Sequence, residues 1–541
     1  MPPAVRADET PVVLQTEEGP TLCWRGIDFY PRKDPVSYAR RKARVFSPLP
    51  QSLYYVPSLG LGHGLVELLE GLPPGSAVLC VEAFQEVMGV ALRHGVHRDP
   101  RLLIIRTEEP DGALAALRSL GTGRFRRVVE LPLCAGYRLA PEAYASIRHA
   151  LEQEIMQFWQ NRLTLIAMGS LQVRNLLSNI PLLAGAADFS ALSTPLPVVV
   201  AGAGPSVEAA LPVLSARRRR FALVAVDTAL PVLRESGLTA DVVVDIEAQA
   251  VNTRDFIPAP RGPGPWLACD LSVHPSVPRL FPRRVSFFSS ELAPLRLWDR
   301  LSANGLRPMP FPALGSVGVA AAHAALLLTS APVFLAGLDF AFPGSRTHAR
   351  GSPFLIAELE RSERLQPVGQ AGFEALAIRR LLRSPDKHGQ PVMTDRVMRS
   401  YRDALEKEAR SARQQVYDCG PTGLPLGVRM LPLQELSDVL ARSPETDERI
   451  RVDRGRGFSA DRVRPFLADE RQRLARMVEA AARSAGPAAG ELEEILADVD
   501  YAWAHFPDRP EPSSSAASFV ARAAVAARFY DERLRRIQES L

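Results

Sequence analysis

Cysteine is scarce in this sequence, with five in 541 residues, and Cys23, Cys80, Cys134, Cys269 and Cys419 stand far apart. No CxxC pair occurs, which removes the common zinc and redox spacings and leaves reduced, buried thiols as the expectation. Long apolar runs are missing as well. The best candidate, Val317 to Leu338, is interrupted by His323, Thr329, Ser330 and Pro332, short of the about 20 apolar residues a spanning helix needs. The opening residues carry Asp8, Glu9, Glu17 and Glu18 without an apolar centre, so no signal peptide is read there and a cytoplasmic address is expected. Nor does one sign of charge dominate. Lys and Arg number 65 against 60 Asp and Glu, a formal +5, spread too thinly to imply a nucleic-acid partner.

What is present is globular. Hydrophobic residues make up 46% and charged residues 23% of the chain, with a mean hydropathy of -0.03, and the length predicts several domains. Strand-like runs at Val12 to Gln15 and Thr21 to Trp24 and a basic helix from Tyr38 to Val45 read as a cap. A strand at Leu53 to Val56 then leads into Gly60, Gly62 and Gly64, a helix over Leu65 to Leu72, and a strand Ala77 to Val81 ending in Glu82. This is the start of a small parallel α/β domain, and residues 1–140 are read as cap plus domain. The Gly60 to Gly64 turn with Glu82 beyond the next strand has two readings, an adenosine-ribose site or close packing of helix on sheet.

Residues 141–195 are read as a helical connector. Across 196–432, short β-branched strands at Val198 to Ala201, Leu223 to Val226, Val242 to Ile246, Trp266 to Ala268, Val285 to Phe288 and Val333 to Ala336 alternate with helices. That pattern predicts a doubly wound, Rossmann-like sheet covered on both faces. Within it, about 357–399 is read as a helical, charged lid with a loop at Ser384 to Pro391, and 433–541 as a mostly helical region with a Pro/Ser-rich break at Pro507 to Ser515. The basic run Arg217 to Arg220 is read as solvated cations at a helix C-terminus.

Chemistry concentrates at the ends of the central strands. Val198 to Ala201 runs into Gly202-Ala203-Gly204-Pro205-Ser206 and a helix. Such a turn lets backbone amides approach a phosphate, while Ser206 can instead cap the helix. The next two strands end in Asp227-Thr228 and in Asp245, with Gln249 and Asn252 close behind. Carboxylates at that edge can hold ribose hydroxyls, a base amino group or Mg²⁺, or simply cap and solvate a loop. Gly315-Ser316 opens another helix, and Asp339, Thr347, His348, Arg350, Lys387 and His388 follow. His348 and His388 are candidate general bases, whereas His323, within an apolar helix, reads as a core residue.

Ordered motifs carry a family resemblance: AGAGPS at Ala201 to Ser206, VDTAL at Val226 to Leu230, ADVVVDIEAQAVN at Ala240 to Asn252, GSVGVAAAHAA at Gly315 to Ala325 and GLDFAFPGSRTHARG at Gly337 to Gly351. The sequence resembles the motility-associated factor family of flagellin glycosyltransferases, whose centre is shared with 6-hydroxymethylpterin pyrophosphokinase-like proteins. It is also similar to bacterial sialyltransferases that use CMP-activated nonulosonic acids. The resemblance implies an inverting transferase that moves a nonulosonic acid from a CMP-linked donor to a Ser or Thr of flagellin in support of motility. It implies that Gly202, Ala203, Gly204, Pro205, Ser206, Asp227 and Asp245 surround the nucleotide, that Ser316 lies at the phosphate and that His388, followed by Gly389, matches the catalytic base of the lid; Thr228, Gln249, Asn252, Gly315 and Asp339 are read as further nucleotide contacts from their places at strand ends and helix starts. No resident cofactor or assigned metal site follows from it, although Mg²⁺ remains open. The sialyltransferase pattern has asparagine where Ala203, Asp227 and Asp245 stand, so those contacts do not carry over unchanged. Two alternatives stay open: a Mg²⁺-dependent pterin pyrophosphokinase and a noncatalytic flagellar assembly factor.

Overall fold

A computed structural model describes residues 10–46, 48–257, 264–290, 295–365, 367–453, 455–483, 489–507 and 517–540. The chain divides into two compact units, Met1–Thr164 and Leu165–Leu541.

In the first unit, β1 (Val12–Thr16), β2 (Gly19–Trp24) and β3 (Ile27–Asp28) form an antiparallel sheet followed by α1 (Pro35–Arg44). Then come β4 (Ser52–Pro57), α2 (Leu65–Glu70), β5 (Ala77–Glu82), α3 (Gln85–His94), β6 (Leu102–Arg106), α4 (Pro110–Leu120) and β7 (Arg127–Glu130). Their sheet is parallel throughout, in the order β6-β5-β4-β7. Alternation along the strands divides the core: Leu53, Tyr55, Leu79 and Val81 face one apolar cluster, Tyr54, Val56, Val78 and Cys80 the other. Period two is the strand's own geometry, and apolar residues at both phases mean that both faces are covered.

Helix α5 (Pro141–Asn179) spans the division. Ile147, Leu151 and Ile155 join the core of the first unit, while Val173, Leu176 and Leu177 join that of the second.

The second unit continues with β8 (Ala187–Asp188), β9 (Leu192–Ser193), β10 (Val198–Ala201), α6 (Val207–Ala216), β11 (Ala222–Val226), α7 (Leu230–Glu235) and β12 (Val242–Asp245). Next are β13 (Trp266–Asp270), α8 (Ser276–Arg279), β14 (Val285–Ser290), α9 (Arg296–Ala303), β15 (Met309–Phe311), α10 (Val317–Leu328) and β16 (Val333–Ala336). The insertion holds α11 (Pro353–Arg361), α12 (Gln370–Ala377), β17 (Leu382–Pro385) and β18 (Pro391–Thr394). After it follow α13 (Arg396–Ser411), β19 (Val416–Asp418), β20 (Arg429–Met430), α14 (Leu433–Ala441), β21 (Arg451–Val452), α15 (Ala460–Ala482), α16 (Ala489–Asp498), α17 (Asp500–Trp503) and α18 (Ala517–Glu539).

The main sheet runs β15-β14-β13-β12-β11-β10-β16-β19-β20, with β8 also against β14, and every pairing is parallel. Strand order reverses between β10 and β16, where an open α/β sheet offers its ligand crevice. Val199, Ala201, Leu223, Ala225 and Val243 face one core, and Val198, Val200, Val224, Val226, Val242 and Val244 face the other. Helix α10 lies over the second. The first takes in α6 and, from the helical tail, Leu467, Leu474, Tyr501, Tyr530 and Leu534, so the tail is part of the core of this unit.

Local departures from the expectations have simple causes. The loop expected at Ser384 to Pro391 runs from Asp386 to Gln390 and is the turn of a β-hairpin, with Ser384, Pro385 and Pro391 in β17 and β18, which pair antiparallel. Prolines at Pro385 and Pro391 suggested a break, yet both sit at strand ends where a missing amide costs little. Helix α13 begins at Arg396, where the Asp395 side chain accepts from the Met398 amide as an N-cap. The Pro/Ser-rich break lies, apart from Pro507, outside the described residues.

Candidate functional site

The expected phosphate cradle after β10 spends its amides within the fold. Gly202 N donates to Ala336 O (2.8 Å) and Gly204 N to Gly337 O (2.9 Å). Ser206 N donates to the Asp339 carboxylate (2.9 Å). A β-carbon on Gly202 would stand 2.4 Å from Gly337 O, and one on Gly337, whose φ is +74°, 2.5 Å from Gly202 O. The glycines therefore allow two strand exits to interlock at the point where strand order reverses. Asp339 does not face an open crevice; it caps α6 in the place a phosphate was expected to take. Ser206 Oγ is buried without a partner among the described residues.

The tip of the β17–β18 hairpin closes on the same corner. Lys387 Nζ lies 2.7 Å from Asp418 Oδ2 and donates to Gly420 O (3.0 Å), with both charged side chains almost fully buried. His388 is exposed, with Nε2 3.0 Å from Pro421 O.

One strand over, the acids are differently placed. Asp227 Oδ1 accepts from Thr228 N (2.8 Å) and Thr228 Oγ1 (3.1 Å), and Asp245 Oδ1 from Glu247 N (2.7 Å). The second carboxyl oxygen of each, Oδ2, is buried with no partner among the described residues. Burial, then the charge of Asp255, pushes Asp227 up to about 7; burial, then Asp227 itself, pushes Asp245 well above the carboxylate range. Glu247 and Asp255 are raised chiefly by burial too, and Thr228 Oγ1 reaches Asp255 Oδ2 at 3.4 Å.

Cations and a helix start border these acids. Arg254 stands 3.7 Å from Asp255. His348, half-buried with Nδ1 3.1 Å from Thr347 Oγ1, is pushed towards the neutral form by burial and then by Arg379 and Arg254. Arg379 pairs with Asp395 at 2.7 Å. Tyr401 is raised by burial, then by Glu247 and Asp395, and a β-carbon on Gly315 would stand 3.1 Å from its ring. Gly315 and Ser316 thus bring the start of α10 to this cluster, and the Ser316 side chain makes no cap bond there. An uncapped helix start beside Arg254 and Arg379 can hold an anion, and the acid pair can accept from hydroxyl or amino donors.

Of the residues named from sequence, the structure gathers Asp227, Thr228, Asp245, Gly315, Ser316 and His348 about this cluster. It places Gly202 to Ser206 and Asp339 in the interlocked turn and His388 on the hairpin. Gln249 is exposed with Nε2 3.7 Å from Met168 Sδ, and Asn252 N bonds to Gln249 O (3.2 Å). Arg254, Asp255, Arg379 and Tyr401 were missed. The first two lie two and three residues beyond Asn252 and were legible as part of the same turn; Arg379 and Tyr401 enter from the insertion and α13, which no local pattern connects to β12.

Elsewhere the packing readings prevail, with one correction. Of Arg217 to Arg220, read as solvated cations on α6, only Arg219 is exposed. Arg218 pairs with Asp241 (2.7 Å), Arg219 with Asp447 and Arg220 with Glu445, and Arg220 Nη1 donates to the Ala441 and Ser443 carbonyls at the end of α14. The run fastens the segment after α14, whose acids lie far along the sequence. Glu82 accepts from Ser58 Oγ, Leu59 N, Phe84 N and Tyr144 Oη. A β-carbon on Gly60 would stand 2.5 Å from Tyr30 Oη and one on Gly64 2.7 Å from Ala39 O, so the cap fills that crevice. His323 Nδ1 meets Glu408 at 2.6 Å, a satisfied packing contact.

Comparisons with known proteins bear on the same segment. Residues 174–345 match the family described as 6-hydroxymethylpterin diphosphokinase MptE-like. The centre of this chain is an MptE-like domain. A protein of Treponema pallidum (strain Nichols), described as uncharacterised, is 29% identical over 356 residues, which is 63% of this chain and 61% of that relative's length. The solved Maf glycosyltransferase of Magnetospirillum magneticum AMB-1 shares the fold, with a TM-score of 0.50 at 18% identity over 98% of this chain and 89% of that one. That likeness shows a shared fold along the chain, within which residues 174–345 carry the MptE-like match. Among the described residues no helix is long and apolar enough to cross a membrane.

Proposed function

We propose that this chain is a glycosyltransferase acting on a nucleotide-activated donor, and that the donor binds between the Asp227–Asp245 pair and the start of α10. The observation that carries the reading is the pair of buried carboxyl oxygens without partners, bordered by Arg254, Arg379, His348 and an uncapped helix start. Buried polar atoms are normally paired, and two left open at the crevice edge of a parallel sheet invite a ligand's donors. The finer identity comes from the family resemblance: a CMP-linked nonulosonic acid as donor and a Ser or Thr hydroxyl of flagellin as acceptor.

In this mechanism the acceptor oxygen attacks the anomeric carbon, and its proton passes to Nε2 of His348. The bond from that carbon to the phosphate oxygen breaks, and CMP leaves with the electron pair on the opposite face, inverting the centre. His348, held towards its neutral form, has the lone pair a base needs. Arg254, Arg379 and the first amides of α10 stabilise the departing phosphate. Among the described residues no three His, Cys, Asp or Glu side chains converge as a ligand set for a metal.

Calorimetric titration with CMP, CDP, UDP-sugars and ATP, with and without Mg²⁺, tests the reading. Cytidine nucleotides are expected to bind, with Asp245→Asn weakening them at least about tenfold. In a transfer assay His348→Ala should cost about 10²-fold to 10⁴-fold in kcat and His388→Ala little. Mg²⁺-dependent ATP binding without cytidine preference would favour the pyrophosphokinase that the family description of residues 174–345 suggests. No nucleotide binding at all would favour a noncatalytic assembly factor.

A further inference from the structure

The insertion carries an unusual surface. Of the 20 exposed large hydrophobic residues in the described structure, eight fall between Ile356 and Val397, among them Leu365 at 79%, Phe373 at 69% and Ile378 at 88% exposure. Helix α12 buries Leu376 while Phe373 stays exposed. A single buried carboxylate, Glu358 on α11, accepts from the amides of Gly369 (2.7 Å) and Gly372 (3.2 Å) and clasps the helix start. A polar clasp that fixes a helix while its phenylalanine points to water marks an interaction surface.

Charge gives the face a second property. Arg380, Arg383, Arg396 and Arg399 are exposed and form no ion pair among the described residues, and Arg383 lies directly across the hairpin from Met393. The surface is continuous with the candidate site. Arg379, next to Ile378, pairs with Asp395, next to Arg396, and its charge reaches His348; Phe354 of α11 stands 5.7 Å from the His348 ring. Glu360 on α11, Glu374 on α12 and Glu363 between them are exposed, which an anionic bilayer would repel and a protein partner can accommodate.

We infer that this face docks the protein acceptor through an amphipathic helical segment of that acceptor, apolar on one side and acidic at its flanks, and so presents the acceptor hydroxyl to His348. The inference rests on the transfer reading above. Its occupant is set by three features together: an apolar face for the helix, unpaired arginines for its acidic flanks, and a site within reach of the same hairpin.

The test is direct binding, measured without any donor. A fluorescently labelled helical peptide with leucines at i, i+3, i+4 and i+7 and flanking glutamates is titrated against the full chain, with a scrambled peptide as control. Binding is expected to weaken at least about tenfold in Phe373→Ser/Ile378→Ser. Arg380→Glu/Arg396→Glu should weaken it similarly and abolish its salt dependence. Both variants replace exposed side chains, so thermal melts should match the wild type. Equal binding by wild type and variants, or by the scrambled peptide, would overturn the inference. So would pelleting of the wild type but not the variants with phosphatidylserine/phosphatidylcholine vesicles, or a dimer in sedimentation that the variants lose. If the peptide binds here while no nucleotide binds anywhere, the docking face stands and the transfer reading falls; if cytidine nucleotides bind and the peptide does not, only the docking face falls.

Discussion

Two buried acids show how one sequence device serves two ends. Glu82 in the first unit and Asp245 in the second each stand at the end of an apolar parallel strand, and neither is exposed at all. Glu82 has four donors, one of them the hydroxyl of Tyr144 on α5. Asp245 has one, on one oxygen, with Asp227 raising it further. The first acid ties a turn together, and the second leaves bonding capacity unspent. A buried acid at a strand end therefore shows nothing about function until its partners are counted.

The comparison is broken most forcefully at the acids themselves. Glu82→Ala leaves four donors, three of them buried, without this acceptor and should destabilise the first unit by about 3 kcal/mol or more, read as lost hydrogen-exchange protection over residues 52–82. Asp245→Asn replaces a buried acid whose ionisation burial and Asp227 oppose, and should leave the second unit at least as stable as the wild type while weakening nucleotide binding. A stability loss as large as that of Glu82→Ala would make Asp245 a structural residue as well.

The two glycine turns of the second unit give a smaller contrast. Gly202→Ala drives a β-carbon into the Gly337 carbonyl and should cost about 2–3 kcal/mol in urea unfolding. Gly315→Ala faces a tyrosine ring at 3.1 Å in a backbone of φ +69° and should cost about 1–2 kcal/mol, with its main effect on ligand binding.

The pH response is of the same order as the glycine effects. Asp227, pushed up to about 7, has a folded pKa above its unfolded one. Between about pH 4 and 7 the native state therefore holds more protons, and stability falls as pH rises through that window. Chemical denaturation from pH 5 to 8 should show a decline of about 1–3 kcal/mol that Asp227→Asn flattens. A wild-type profile that is flat, or that rises, would mean the acid pair is solvated rather than enclosed.

Much of the fold was legible because it is local. Val198 to Ala201, Val242 to Val244 and Val333 to Ala336 are short β-branched runs between helices, and that pattern alone implies a parallel sheet covered twice. The acids Asp227 and Asp245 were legible for the same reason, since a strand's last residues must emerge at one edge. The hairpin at Leu382 to Thr394 was not, because its prolines imitate a loop until a partner strand is seen beside them.

The sequence by itself thus determined the strand and helix register, the glycines at the strand exits and the identity of the acids that leave the sheet. Tertiary structure decided which of those groups are free. Asp339 was drawn to the amide of Ser206, 133 residues away, and closed the turn that looked open. Arg379 and Tyr401 arrived from the insertion and α13 to border a cluster that no local pattern announces. Hydrogen bonding is saturable and burial is collective, so whether a polar atom remains available depends on every neighbour the fold brings to it.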